Sequence, residues 1–108
     1  MNTYKQIVYR QQDTALMIVP SDENIQTQIR FVNDLNELQK QYFFDLRDYL
    51  LTLVDSLDYC VYIPEIDRLD IQSVSGDVIS QTVAELETNN KLIVNNVLTI
   101  CNELLNVE

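Results

Sequence analysis

The 108-residue chain contains no histidine and no tryptophan, one glycine and two prolines. Without histidine it lacks the side chain that titrates near neutral pH and most often ligates metals. With Gly76 as the sole glycine, a glycine-rich phosphate loop cannot be built. So little glycine and proline also leaves scant turn material, which favours few long elements over many short strands. The two cysteines, Cys60 and Cys101, stand apart in apolar surroundings. That is the pattern of buried free thiols rather than of a disulfide framework. Cations are scarce too: seven Lys and Arg face seventeen Asp and Glu, a net charge of −10. The seven are scattered, so direct contact with duplex nucleic acid, which needs clustered positive charge, is not expected. No run approaches the roughly 18 uncharged apolar residues of a membrane span. The opening "MNTYKQIVYR" lacks the apolar stretch of a signal peptide, so an intracellular setting, cytoplasm or nucleus, is expected.

What the chain does have is apolar content of 46%, enough for one folded domain over residues 1–108. Its acids are concentrated in the middle, where residues 34–77 hold ten against three bases. Asp48, Asp55, Glu65, Asp67 and Asp70 are the candidate acidic surface, facing either solvent or a basic partner. Glu65, Asp67 and Asp70 lie in "PEIDRLDIQ", which lacks the turn glycine and ligand spacing of a calcium loop. No catalytic, cofactor or metal site is assigned, and a non-enzymatic protein is expected.

"TYKQIVYR" and "TALMIVP" are β-branched and aromatic, and read as two strands within residues 3–19, a hairpin. After Ser21, apolar residues recur at three- and four-residue steps, which predicts a long helix over 22–57, with a break near Asn33-Asp34 allowed. Residues 59–74 read as short strands or as a loop. Ser75-Gly76-Asp77 resembles a helix start, and a second long helix is expected over 77–106. The expected class is α+β but predominantly helical: an N-terminal β-hairpin followed by two long helices in an antiparallel hairpin. A faint internal echo also admits a duplicated strand–strand–helix unit. "IVY" at 7–9 and "CVY" at 60–62 stand 53 residues apart, as do Leu16 and Leu69, and Ile18 and Ile71. With one inserted residue, Ser21 then matches Ser75 and Ile25 matches Ile79.

The candidate interface comes from excess apolar surface. On the last helix, Ile93, Val97, Ile100 and Leu104 continue a heptad seam on which Asn90 also falls. Ile93, Val94, Val97, Leu98, Ile100, Cys101, Leu104 and Leu105 together fill an arc of about 160° of the helix wheel, wider than the ~100° of an ordinary surface helix. On the first helix, Phe44 and Leu51 lie opposite the main stripe. Two continuous helices of roughly 45–54 Å would not fit a globule of this length. The expected function is therefore a protein–protein interaction subunit, a helical homo-oligomer or one half of a hetero-assembly, through those helix faces. The alternative is an acidic inhibitor or nucleic-acid mimic that occupies a basic groove of a partner.

Overall fold

Alternation decides the architecture more than helical periodicity does. In β1, Tyr4–Arg10, Ile7 and Tyr9 are buried while Gln6 and Arg10 are exposed. In β5, Arg68–Ser73, every second residue is buried (Leu69, Ile71, Ser73). That period of two is the mark of a strand with one face on a core. The computed structural model describes residues 4–11, 15–20 and 28–106. β1, β2 (Ala15–Pro20), β3 (Gln28–Phe31), β4 (Leu57–Ile63), β5 and β6 (Val78–Thr82) form one antiparallel sheet in the order β3-β2-β1-β4-β5-β6. Helix α1, Glu37–Leu50, follows β3, and α2, Thr88–Asn106, follows β6.

The chain runs twice through the same series: three strands, a 3-10 turn, a helix. The correspondence extends to register. β1 and β4 each shift register against their hairpin partner, at Tyr4/Gln6 and at Leu57/Tyr59, positions 53 residues apart. Where β1 meets β4, Ile7 pairs with Tyr62 and Tyr9 with Cys60, and Val8 and Val61 face each other. That pairing is its own image under a two-fold axis through Val8 and Val61. The buried residues of α1 (Phe43, Leu46, Tyr49, Leu50) recur 51 positions on as Val94, Val97, Ile100 and Cys101 in α2, all buried.

Several expectations are corrected. The protein is α+β but not predominantly helical, and it has no antiparallel hairpin of two long helices, because a six-stranded sheet carries both. Among the described residues of 22–57, which begin at Gln28, only Glu37–Leu50 are α-helix. Residues 28–31 are β3, and Val32–Asp34 form a 3-10 turn where a break was allowed. The start at Glu37 is fixed by a capping box: the Asn36 side chain accepts from Gln39 N at 2.9 Å, and Gln39 Oε1 accepts from Asn36 N at 3.1 Å. Of residues 77–106, Val78–Thr82 are a strand and Val83–Glu85 a second 3-10 turn, so α2 starts only at Thr88. Residues 59–74 hold β4 and β5, with a 3-10 turn at Pro64–Ile66 between them. The repeated unit has three strands, not two. Its spacing falls from 53 to 51 past the second strand, so Ile79 corresponds to Gln28 and not to Ile25. Ser21 and Ile25 lie outside the described residues.

Both helices cover the same face of the sheet and touch each other. Phe43, Leu46, Tyr49 and Leu50 from α1 and Val94, Val97, Ile100 and Cys101 from α2 form one buried cluster with Ile7, Tyr9, Cys60, Tyr62, Leu69 and Ile71. The rings of Tyr9 and Phe43 meet at 5.7 Å, tilted by 45°. A helix that packs on a sheet and on a sister helix needs a wide apolar arc. That accounts for the breadth seen in the α2 sequence. Both cysteines are free and buried, and burial pushes the Cys60 thiol up to about 12. The Cα radius of gyration is 13.1 Å, close to the ~13 Å of a globular chain this long. The apolar surface that seemed to require a second copy is largely covered within one.

Phe43→Ala is expected to destabilise the fold by about 3–5 kcal/mol, since it empties a fully buried site. Leu92→Ala, at a position 58% exposed, is expected to stay within about 0.5 kcal/mol. Urea titrations followed by circular dichroism measure both.

Candidate interface at the free sheet edge

Among the described residues, the last strand of the sheet has a neighbour on one side only. β6 pairs with β5, with Arg68 opposite Thr82, Asp70 opposite Ser80 and Ile71 opposite Ile79. Beyond the strand ends, Ser73 N donates to Asp77 O at 2.9 Å, and Val83 N donates to Asp67 O at 2.9 Å. Those two pairs set the phase of the ladder, because hydrogen-bonded and non-bonded pairs alternate between antiparallel strands. Ile79 and Gln81 therefore direct their backbone groups at β5. Val78, Ser80 and Thr82 direct theirs outward, where no strand among the described residues meets them. Natural sheets guard such edges with lysine, proline or a bulge. "VISQT" has none of these. The opposite edge, β3, is shorter and carries Arg30.

Two turns hold the edge in place. Between β5 and β6, Gly76 takes a φ of 98°, the left-handed region that suits glycine. Gly76 N donates to Ser73 O at 3.0 Å, and Asp77 N donates to the buried Ser73 Oγ at 3.0 Å. Ser75-Gly76-Asp77 thus closes a hairpin rather than starting a helix. At the other end, Asp67 sits at φ 50°, a conformation that Asp tolerates better than most residues. Its Oδ1 accepts from the Tyr62 hydroxyl at 2.8 Å, and its Oδ2 accepts from Ala84 N at 3.0 Å. Asp67 ties the β4–β5 turn to the chain leaving β6.

Beside the β5–β6 turn lies an open depression of about 560 Å³, lined by Leu53, Val54, Val74 and Ile79 with Asp55, Ser56, Ser73, Ser75 and Asp77 on its polar side. Val74 and Val78 flank the turn and are 54% and 57% exposed. Between residues 55 and 85 the chain carries seven acids and one base, Arg68. Arg68 is already engaged: its guanidinium donates to Asp70 Oδ2 at 3.0 Å, while Ser80 Oγ donates to Asp70 Oδ1 at 2.8 Å. Burial pulls the Asp70 carboxyl upward, but these two hydrogen bonds and the Arg68 charge outweigh it and hold it below the ordinary carboxylate value.

The residues singled out in the sequence scatter over this frame. Val97 and Ile100 are in the core, and Ile93 and Leu104 are partly buried against it. Phe44 is half-buried with the Arg47 guanidinium 5.0 Å above its ring, and Leu51 is exposed. Asn90, Ile93 and Asp48 do meet, in a shallow groove between the helices with Asp45, Tyr49 and Thr52. Asp55 lines the depression by the turn, Glu65 is exposed on its own, and Asp67 and Asp70 are engaged as described. The β6 edge went unread because its strand was taken into the last helix. The signal was present in "IQSVSGDVI", two alternating stretches around a glycine turn.

Among the described residues no group of three His, Cys, Asp or Glu side chains is placed to hold a metal, and no helix is long and apolar enough to cross a membrane. Comparison with protein-family models, curated proteins and solved structures gave no match, so fold and site carry the functional argument. They define a two-layer α+β domain with repeated halves and one unguarded acidic sheet edge.

A lowered carboxyl pKa adds stability that is complete above the unfolded value of 3.8 and is lost as pH falls through the folded one. Asp70→Asn should therefore be less stable than wild type near pH 7, with the gap closing as pH falls below 3.8. Urea midpoints at the two pH values test this; an equal gap at both would contradict it.

Proposed function

We propose that the chain is a non-enzymatic protein-interaction domain, an adaptor or subunit completed by another polypeptide. The free β6 edge supports this reading most. An edge with outward backbone donors and acceptors, no protecting residue and an apolar depression at its end suits the addition of a partner's strand. The helix faces support it less, since Leu38, Leu51 and Leu92 are exposed separately, as single apolar residues on a surface commonly are.

A second reading, an acidic protein that fills a basic groove, draws on the seven acids between residues 55 and 85. The two readings share a surface and differ in what holds the partner. Strand addition relies on backbone hydrogen bonds and apolar contact, whereas mimicry relies on exposed charge that salt screens within about 10 Å.

Affinity capture from the native host, with wild type and Ser80→Pro side by side, separates them. Proline at position 80 removes an outward N–H, and edge strands tolerate it. The proposal expects a protein partner that wild type holds through a salt wash and Ser80→Pro does not. A partner held by both and stripped by salt assigns the acidic-mimic reading. Retention of no protein by wild type overturns both.

A further inference from the structure

We infer that the β6 edge takes an extended basic segment of a partner protein, with an apolar side chain seated beside Ile79 and lysine or arginine side chains against Asp55 and Asp77. This rests on the interaction reading above and adds the chemistry of the partner.

Four observations converge on that occupant. The outward backbone groups of Val78, Ser80 and Thr82 recur at every second residue, the spacing an incoming strand matches. Such a strand lies about 4.8 Å from β6 and points alternate side chains to opposite faces of the sheet. On the helix-covered face, its first neighbour is the depression where Leu53, Val54 and Ile79 are apolar. An aliphatic side chain fits there. At the rim, Asp55 and Asp77 are exposed, and the Asp77 carboxylate accepts from Ser75 Oγ at 3.3 Å. The one base between residues 55 and 85, Arg68, is held by Asp70. Charge complementarity therefore asks the visitor for positive residues.

The same charges argue against a second copy as the occupant. Two β6 strands paired antiparallel about Ser80 would bring Asp77 of each copy to the end of the edge where the other copy carries Glu85. Like charges placed so close repel, and a net charge of −10 on each chain adds to the penalty. A basic segment meets no such opposition.

The test uses the full chain and synthetic peptides, read by fluorescence anisotropy. One peptide repeats Lys-Thr-Val-Thr, so that lysine and valine point to the same face of an added strand, and a second carries glutamate in place of lysine. Two further versions of the lysine peptide are methylated on alternate backbone nitrogens, one in each phase. The lysine peptide is expected to bind at least about tenfold more tightly than the glutamate peptide, an advantage that shrinks as salt rises. Methylation in one phase should abolish binding and in the other should spare it, because only alternate N–H groups of an added strand face its neighbour. On the protein, Ser80→Pro should abolish binding, while Ser80→Ala, which loses the bond to Asp70 but keeps the backbone N–H, should retain it. Asp55→Asn with Asp77→Asn should weaken the lysine peptide several-fold. The methylated peptides leave the protein unaltered, so a folding defect in Ser80→Pro does not blunt the test. Equal binding of lysine and glutamate peptides, or indifference to methylation in both phases, would overturn the inference. Dimerisation of the chain that Ser80→Pro removes would assign the edge to a second copy and overturn it too. If the lysine peptide fails to bind while a host protein is still captured, this inference falls and the interaction reading stands.

Discussion

The pairing of β1 with β4 is the constraint from which the other features follow. Val8 faces Val61 across that seam, and the flanking pairs, Ile7 with Tyr62 and Tyr9 with Cys60, exchange equivalent positions of the two halves. A pairing of this kind fixes the relation between the halves. Each half places its helix after its third strand, so a two-fold through the seam puts α1 and α2 on the same face, side by side. One face of the sheet is then consumed by the core. Among the described residues no strand lies beyond β3 or β6.

The seam also accounts for which helical residues are buried. A helix alone on a sheet would bury a stripe. Each helix here lies between the sheet and its sister, so two adjacent sides are apolar. In α1 these sides hold Phe43, Leu46, Tyr49 and Leu50, and in α2 the corresponding Val94, Val97, Ile100 and Cys101. Each of these α1 residues is bulkier than its α2 counterpart, and all share one buried cluster, as suits a core close-packed like an organic crystal. Leu38, which continues the three-and-four spacing in the sequence, is 62% exposed because it lies in the first turn of α1. Periodicity alone does not show where a helix begins.

That is also the measure of what the sequence disclosed. The first hairpin was legible, because "KQIVYR" and "ALMIVP" are β-branched and bounded by polar residues. The echo at a spacing of 53 was legible for β1 and β2 against β4 and β5. It was lost beyond them because the connection to the third strand is two residues shorter in the second half. The third strands themselves were hidden. "QIRF" and "VISQT" are short, and each runs through a 3-10 turn into its helix, so the apolar positions of strand, turn and helix merge into one apparent helical pattern. The Asn36-to-Gln39 capping box could have marked the true start of α1. Of the residues chosen on α2 as a candidate interface, Val97 and Ile100 pack in the core shared with the sheet, and Ile93 and Leu104 lie partly buried against it. The roles of Asp67 and Asp70 depend on partners far along the chain, Ala84 and Ser80, which no local pattern reveals.

Strand addition requires that β6 be an edge strand with alternate amides open to water. Residue-resolved amide hydrogen exchange of the isolated chain measures that most directly. The amides of Val78, Ser80 and Thr82 should exchange quickly while those of Ile79 and Gln81, directed at β5, stay protected. Uniform protection along all five residues would mean that the edge is already occupied within the chain, and would contradict the account.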